Sequence, residues 1–189
     1  MLSPTPPRAL AITVYCASSR RVAQHYLDVA AELGRLIASR GHTLIYGGGN
    51  IGLMGALANA VMLHNGKLKG VILADFVERG YASEGHEMQS VTDMRLRKRG
   101  LDELGDAYIA LPGGFGTLEE ILEILSFKQL GLHHKPAVFV NTNGYFDHLL
   151  AQFERGFREA FIHKRFRDLY TVVTTPDEAL EFIETDAAQ

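Results

Sequence analysis

A short apolar run passes into a glycine-rich turn and then into a helix at residues 107–120, which read AYIALPGGFGTLEE. The run at 107–111 is continuously apolar, as strands are when both faces of their sheet are covered. The glycines that follow let backbone N–H groups approach an anion, and the helix adds its positive end. Thr117 supplies a hydroxyl as an N-cap or as a donor to a phosphate. The stretch therefore predicts a buried strand followed by a phosphate-binding turn.

A second stretch with the same organisation lies at residues 43–55, which read TLIYGGGNIGLMG. Its predicted strand at 43–46 runs into Gly47, Gly48 and Gly49 and then into a helix of small residues. One glycine turn is a weak signal, because tight turns between a strand and a helix often need glycine. Two such turns in one small sheet favour a phosphate site. Neither turn is a P-loop, since no lysine follows the glycines, so nucleoside triphosphate hydrolysis is not expected.

Strands and helices alternate along the rest of the chain. Apolar runs predict further strands at 11–15, 69–73, 137–140 and 171–173, and helices are predicted at about 22–39, 52–65, 93–104, 118–130 and 145–159 and from Pro176 onward. Residues 75–90 have no clear period and are predicted to form a loop. This alternation is typical of an α/β fold, here a single-domain, Rossmann-like parallel sheet with helices on both faces. Ligands bind at the carboxyl ends of such strands, where both glycine turns fall.

Composition narrows the class of protein. The chain has 189 residues, of which 47% are hydrophobic and 22% charged, as in one globular domain. Its net charge of -3 argues against a nucleic-acid partner, which needs a basic excess. The only cysteine, Cys16, permits no internal disulfide and suits a reducing compartment. Because no stretch resembles a membrane span or a signal peptide, we expect a cytoplasmic protein without a membrane partner.

The domain is expected to have short tails. We predict a disordered N-terminal tail at residues 1–10, a single nucleotide-binding α/β domain at 11–184 and a C-terminal tail at 185–189. No internal repeat or linker divides the middle segment.

Two charged residues occupy positions that favour apolar side chains. Glu120 lies one turn into its helix and shares a side with Ile124 and Phe127, whereas an acid that only favours a helix N-terminus fits Glu119 better. Arg97 lies on the apolar face of the helix at 93–104, and an arginine there needs an anionic partner. The candidates are Glu120 and a bound phosphate. The buried stripe of that helix is predicted to contain Met94, Leu101 and Leu104.

Three segments resemble the Lonely Guy family of cytokinin-activating proteins. Residues 47–55 resemble its GGGxxGLMG stretch, residues 112–120 match its PGGxGTxxE motif, and residues 94–98 are similar to its MHxRK segment. The likeness extends over residues 11–162. Members of the family were long labelled lysine decarboxylases, but no lysine of this sequence has an evident cofactor-anchoring context.

The resemblance implies a cytokinin riboside 5′-monophosphate phosphoribohydrolase. Such an enzyme cleaves the N-glycosidic bond of N6-modified AMP, and often of AMP itself, to release the free base and ribose 5-phosphate. It also implies a homodimer with sites near the subunit interface, and no metal or organic cofactor. The motif match assigns catalysis to Arg97 and Glu120. It assigns substrate binding to Ser18, Ser19, Gly48, Gly49, Met94, Lys98, Gly113, Gly114, Gly116 and Thr117.

The sequence departs from the family pattern in two places. The family's histidine after the methionine is Arg95 here. Residues 75–90 lack the usual proline and the GLTE-like run, and contain Glu84-Gly85-His86-Glu87 instead. These differences leave the identity of the base open.

Two other functions stay open at this point. Residues 47–52 satisfy GxGxxG and Asp75 follows the next strand, as in a nicotinamide dehydrogenase, but that hypothesis leaves residues 112–120 unexplained. The non-enzymatic alternative is a nucleotide or molybdenum-cofactor carrier on the same scaffold. Arg97 and Glu120 favour catalysis, whereas ligand binding without release of a base favours the carrier.

Overall fold

The computed structural model describes residues 8–188, and within them seven strands form one parallel sheet. In chain order the strands are β1 (Ala11–Tyr15), β2 (Thr43–Tyr46), β3 (Lys67–Leu73), β4 (Glu87–Val91), β5 (Ala107–Ala110), β6 (Ala137–Val140) and β7 (Thr171–Val173). Across the sheet their order is β4-β3-β2-β1-β5-β6-β7. The order reverses at β1, so the ends of β1 and β5 form the switch point at which such sheets bind ligands.

The helices cover both faces of the sheet, which confirms the predicted fold class. They are α1 (Gln24–Ser39), α2 (Gly52–Leu63), α3 (Ala74–Glu78), α4 (Met94–Leu104), α5 (Phe115–Gln129), α6 (Asp147–Arg158) and α7 (Pro176–Asp186). The buried core on one face is shared by α1, α2 and α7, and the core on the other by α4, α5 and α6. Neighbouring residues of β5 enter opposite cores, Ile109 the first and Tyr108 the second, as expected for a doubly covered strand.

The strand ends around the switch point lie level with one another. Tyr46, the last residue of β2, pairs in register with Val14, and Ala110, the last residue of β5, pairs with Tyr15. The turns that follow β1, β2 and β5 therefore leave the sheet at the same edge.

The prediction of a loop at residues 75–90 is wrong. The segment contains most of the short helix α3 and most of β4, which pairs with β3 at the edge of the sheet. An edge strand pairs with another strand on one side only, and no residue of β4 is fully buried. Its sequence EMQSV therefore lacks the continuous apolar run by which the inner strands are recognised. The five residues of α3 are too few to establish a helical period.

The predicted helix at 145–159 begins two residues later than expected. A 3-10 turn at Thr142–Gly144 precedes α6, and Asn143 and Gly144 adopt positive φ angles of 52° and 70° within it. This left-handed geometry separates the turn from the helix. A further 3-10 helix at Lys164–Leu169 was not predicted.

The ordered domain extends beyond the predicted limits of 11 and 184. Leu10 is buried, and its backbone N–H donates to Nδ1 of His42 at 3.2 Å. At the other end α7 continues to Asp186. The rest of the two predicted tails, residues 1–7 and 189, lies outside the described residues. None of the helices between residues 8 and 188 has the length and apolar character needed to cross a membrane.

Candidate active site

The start of α4 is fixed by an N-cap. The Asp93 carboxylate accepts hydrogen bonds from the backbone N–H groups of Arg95 at 2.8 Å and Leu96 at 3.0 Å. This cap satisfies donors that the first helical turn leaves without a partner. It sets the helical register in which Arg97 points inward, while Arg95 and the rest of the first turn face solvent.

The Arg97 guanidinium bridges strand β3, the turn after β2 and a second helix. It is 6% exposed and donates from Nε to the carbonyl of Val71 at 3.1 Å, from Nη2 to the carbonyl of Gly47 at 3.4 Å and from Nη1 to Oε1 of Glu120 at 2.7 Å. A Cβ atom at Gly47 would lie 2.1 Å from Nη2, so glycine is required at that position to leave room for the guanidinium. Gly47, the first glycine of the triplet, therefore leaves space for the Arg97 side chain.

Glu120, one of the two anionic partners that the sequence predicts for Arg97, is the one that the structure pairs with it. It lies on α5, is 8% exposed and faces the guanidinium across the gap between the two helices. Burial raises the pKa of Glu120 above its ordinary value and outweighs the opposite effect of Arg97. Glu120 is therefore a buried carboxylate that takes up a proton more readily than a surface glutamate does.

Met94 and Lys98 lie on either side of Arg97 in the sequence. The Lys98 ammonium binds the carboxylates of Glu119 and Glu123, at 3.1 Å from the nearer oxygen of Glu123. Met94 places its sulfur 3.8 Å from Nη1 of Arg97. The prediction that Met94 is buried in the stripe of its helix is wrong, since 44% of its surface is exposed, while Leu101 is buried as predicted.

The turn between β5 and α5 is open to solvent. Gly114, Phe115 and Gly116 are all exposed, Phe115 to 94%. A Cβ atom at Gly114 or Gly116 would meet nothing within 4 Å, and neither residue has a positive φ. The packing and backbone of the chain therefore do not require glycine at either position, and glycine leaves the backbone accessible from outside.

The first N–H groups of α5 point out of the helix without an internal acceptor. The first hydrogen bond of the helix runs from the N–H of Leu118 to the carbonyl of Gly114 at 3.0 Å. Among residues 8–188 no acceptor is found for the N–H groups of Phe115, Gly116 and Thr117. Such a row of free donors at the positive end of a helix is a ready anion site.

Thr117 is not the N-cap of α5, contrary to one of the two predicted roles. The N-cap is Gly114, which has no side chain to accept a hydrogen bond. Thr117 is buried and packs against Gly113, where a Cβ atom would lie 2.1 Å from its Oγ1. Gly113 and Thr117 are thus locked together beneath the exposed part of the turn.

The turn between β2 and α2 is closed by the chain itself. Gly48 is buried with φ of 76°, and its carbonyl accepts from the N–H of Ser83 at 2.9 Å. Gly49 forms an isolated antiparallel bridge with Ala82. The side-chain amide of Asn50 donates to the carbonyl oxygens of residues 80 and 82, both at 3.1 Å. Residues 80–83 therefore cover this turn.

The N-terminus of α2 is also satisfied within the chain. The carbonyl of Ala17 accepts from the N–H groups of Leu53 at 2.9 Å and Met54 at 3.3 Å. Ser18 and Ser19 follow Ala17 on the surface, and the Ser19 hydroxyl accepts from the N–H of Arg21 at 3.2 Å. Ser18 is exposed.

The polar cluster at residues 84–87 is engaged in other contacts. Nε2 of His86 lies 3.0 Å from the hydroxyl of Tyr46, and Glu87 forms an ion pair with Lys69 at 2.6 Å. In the described part of the chain no group of three or more histidine, cysteine, aspartate or glutamate side chains converges on one point.

Sequence reasoning missed one residue that contacts the open turn. The hydroxyl of Tyr145 donates to the carbonyl of Gly113 at 2.7 Å, across 32 residues of sequence. Tyr145 falls at the start of the predicted helix at 145–159, where nothing marks it as different from its neighbours. Only the pairing of β5 with β6 brings it to the turn.

Comparison with known proteins identifies relatives over most of the chain. A protein of Oryza sativa subsp. japonica named probable cytokinin riboside 5′-monophosphate phosphoribohydrolase is 40% identical over 174 residues, which cover 92% of this chain and 70% of the relative. A protein of Arabidopsis thaliana named cytokinin riboside 5′-monophosphate phosphoribohydrolase is 38% identical over 174 residues, covering 92% and 81%.

Solved structures share the fold at lower identity. The molybdenum cofactor binding protein from Rippkaea orientalis has a TM-score of 0.71 at 22% identity, covering 95% of this chain and 98% of that one. The molybdenum cofactor carrier protein from Chlamydomonas reinhardtii has a TM-score of 0.70 at 20% identity, covering 96% and 100%. At such identities the likeness concerns the fold alone.

A family model matches the chain over residues 54–183, and it carries the description "Possible lysine decarboxylase". The match covers more than half of the chain, and it includes both the segment around Arg97 and the turn that leads to Glu120. The chain therefore belongs to the family of this model, the Lonely Guy family that its motifs resemble.

Proposed function

We propose that the protein hydrolyses the N-glycosidic bond of adenosine 5′-monophosphates, with or without an N6 substituent, and releases the free base and ribose 5-phosphate. The observation that carries the proposal is the buried ion pair of Arg97 and Glu120, 2.7 Å apart, on the helices that flank the switch point of the sheet. Relatives at about 40% identity bear the name of this activity.

The substrate phosphate binds at the open turn before α5. Its charge is complementary to the free N–H groups of Phe115, Gly116 and Thr117 and to the positive end of the helix. Gly114 and Gly116 let the phosphate oxygens approach the backbone, and Gly113 and Thr117 hold the turn beneath them. We also assign contacts with the nucleotide to Ser18, Ser19, Met94 and Lys98, but not to Gly48 and Gly49, because residues 80–83 cover their turn.

Glu120 lies one helical turn beyond this phosphate site, which suits a contact with the ribose. When the bond from C1′ to the base nitrogen breaks, positive charge develops on the sugar. An ionised carboxylate nearby stabilises that charge, and it accepts a proton as the oxygen of water bonds to C1′. The leaving base takes up a proton from solvent as it departs, and Glu120 later returns its proton to solvent, so that one molecule of water is consumed overall. The raised pKa of Glu120 favours this role, because a general base works best when its pKa is near the operating pH.

Arg97 keeps the Glu120 carboxylate ionised and oriented. Its guanidinium is itself held by carbonyl oxygens of β3 and of the turn after β2, so the carboxylate faces a fixed cation. Arg97 has no second carboxylate within residues 8–188, and the pair is therefore a one-to-one match of charges. This arrangement favours catalysis over a carrier function, since a carrier has no need of a buried carboxylate with a raised pKa.

We propose a cytoplasmic homodimer as the working form. Leu130, Leu132 and Phe161 are largely exposed, and apolar side chains in such positions support burial against a second copy. The buried thiol of Cys16 has no second cysteine to bond and fits a reducing compartment. Light scattering on the purified protein tests the dimer, and a mass of one 20.9 kDa chain contradicts it.

Base release is the direct test of the activity. We expect chromatography to detect adenine or isopentenyladenine from AMP and isopentenyladenosine 5′-monophosphate, and no release from the matching nucleosides, which lack the phosphate. Equal release from nucleosides would contradict the phosphate site. Tight binding of the monophosphates with no release from any of them would favour the carrier.

A further inference from the structure

The Tyr145 side chain connects the turn after β6 to the turn before α5. Its hydroxyl donates to the carbonyl of Gly113 at 2.7 Å. The ring packs edge-on against Tyr26 of α1, with centroids 5.7 Å apart, and against Phe146 at 5.1 Å. Tyr145 thus ties together three elements that surround the open turn.

The turn that carries Tyr145 is held by several contacts of its own. The side chain of Asn141 accepts from the N–H of Phe146 at 2.7 Å and donates to Oδ1 of Asp147 at 2.8 Å. Asn143 is in the left-handed region, which costs free energy unless the surroundings enforce it. These contacts hold the Tyr145 hydroxyl in one place relative to the sheet.

The peptide that Tyr145 holds lies directly before the free donors of α5. Gly113 packs on Thr117 so closely that no side chain fits between them. The other side of the turn is fixed by the N–H of Ala17, which donates to the carbonyl of Pro112 at 3.2 Å. Two consecutive carbonyl groups of the turn are therefore anchored to the segments that follow β1 and β6, whereas Gly114 and Gly116 have no such anchor.

We propose that Tyr145 is a positioning residue for the substrate phosphate. It acts through Gly113, by keeping the turn in the conformation in which the N–H groups of Phe115, Gly116 and Thr117 remain free for the anion. The inference rests on the proposed function for the identity of the anion as a nucleotide phosphate. It predicts an effect on phosphate binding that is separate from the chemistry at Glu120.

The test is the variant Tyr145→Phe, which keeps the ring on Tyr26 and Phe146 and removes only the hydroxyl. We expect the Kd for AMP and for inorganic phosphate to rise by about 3- to 10-fold, the range of one neutral hydrogen bond. The KM for AMP should rise with it, while kcat stays within about 2-fold, because the hydroxyl does not act on the reacting bond. Calorimetry measures the binding and base release measures the kinetics.

Adenosine and the variant Tyr26→Phe are the controls. Adenosine lacks the phosphate, so its affinity should be the same in wild type and Tyr145→Phe. The hydroxyl of Tyr26 makes no hydrogen bond within the described chain, so Tyr26→Phe should leave all constants unchanged. The proposal is overturned if Tyr145→Phe binds phosphate like wild type, or if it loses adenosine and phosphate affinity equally. If the wild type binds AMP but releases no adenine, the proposed hydrolase activity is wrong. The comparison of binding constants still decides the role of Tyr145 in that case.

Discussion

The two glycine-rich turns at the edge of the sheet look alike in sequence and differ in structure. In the turn after β2, the chain itself uses the polar groups: Ala17 caps α2, and residues 80–83 cover the glycines. In the turn after β5, a Cβ atom at either exposed glycine would meet nothing within 4 Å, and the first N–H groups of α5 have no acceptor within the described residues. Glycine therefore serves close packing in the first turn and access to a ligand in the second.

The difference shows how a helix N-terminus becomes a binding site. Every α-helix begins with N–H groups that lack an internal partner, and these groups must find acceptors elsewhere. A neighbouring carbonyl such as that of Ala17 removes the opportunity for a ligand. Where no part of the chain approaches, as at Gly114 and Gly116, an anion can supply the missing acceptors.

The largest expected effect concerns the helix behind the open turn. Glu120→Gln should lower kcat for base release by about 10²- to 10⁴-fold, the usual contribution of a positioned acid or base. The amide keeps the shape of the side chain but cannot take a proton from water. AMP binding should persist, since the phosphate site precedes Glu120 on the helix. Stopped assays at saturating AMP and calorimetry measure the two quantities.

Glu119→Gln is the matched control for that variant. Glu119 is the preceding residue on the same helix, is exposed and pairs with Lys98 at the surface. It should retain kcat within about 2-fold, since exposed ion pairs contribute little. Similar losses in both variants would show that the helix, and not the buried carboxylate, is what matters.

Acid pH offers a second way to examine Glu120. The ionised carboxylate is the active form, and burial raises its pKa, so activity should fall as pH decreases at values above the ordinary glutamate pKa of about 4.3. Below the raised pKa of Glu120, activity should fall about tenfold for each further pH unit. The pH profile of kcat measures it, and Glu120→Gln should show no such limb.

Protonation of Glu120 should act on stability in the opposite direction to its effect on activity. A raised pKa in the folded state means that the folded protein binds this proton more tightly than the unfolded chain does. Its contribution to stability is full below the unfolded pKa and is lost as pH rises through the folded one. Relative to Glu120→Gln, the wild type should therefore gain stability as pH falls through the acid limb, which urea denaturation of the two proteins measures. A wild type that loses stability relative to the variant over that range would contradict the raised pKa.

The closed turn should respond to substitution by losing stability. Gly48→Ala forces an alanine into φ of 76° and brings its Cβ within 2.9 Å of Ile72 and Met88. We expect a loss of about 1–3 kcal/mol in the free energy of unfolding, measured by urea denaturation, with little change in phosphate affinity. Gly80→Ala has a similar φ of 74° and no contact within 4 Å, so it isolates the backbone part of the loss. If Gly48→Ala stays stable but loses phosphate affinity, the first turn must be part of the phosphate site, contrary to the prediction.

Much of this arrangement could be predicted from sequence because it is recorded in local patterns. The inner strands are continuous apolar runs, and Arg97 and Glu120 are conspicuous as charges on apolar helix faces. The edge strand β4 has no such pattern, since it is half exposed. Contacts between distant segments, such as Tyr145 with Gly113 or Ala17 with the start of α2, depend on the assembled sheet. For that reason the sequence could not tell the closed turn from the open one.

The open turn should respond to substitution in the opposite way. Gly116→Ala places a methyl group where the chain has no neighbour within 4 Å, and alanine is the better helix former. We expect the free energy of unfolding to rise by about 0.5–1 kcal/mol. Phosphate affinity should fall by about tenfold, because 1.4 kcal/mol of lost contact with the backbone corresponds to that factor. Thermal unfolding and phosphate titration measure the two changes.

Ser126→Ala, on the exposed face of the same helix, is the control. Its free energy of unfolding should rise by about a few tenths of a kcal/mol without weaker phosphate binding. A gain in stability with unchanged phosphate affinity in Gly116→Ala would mean that the ligand does not approach this part of the backbone, and the contrast between the two turns would then have no bearing on function.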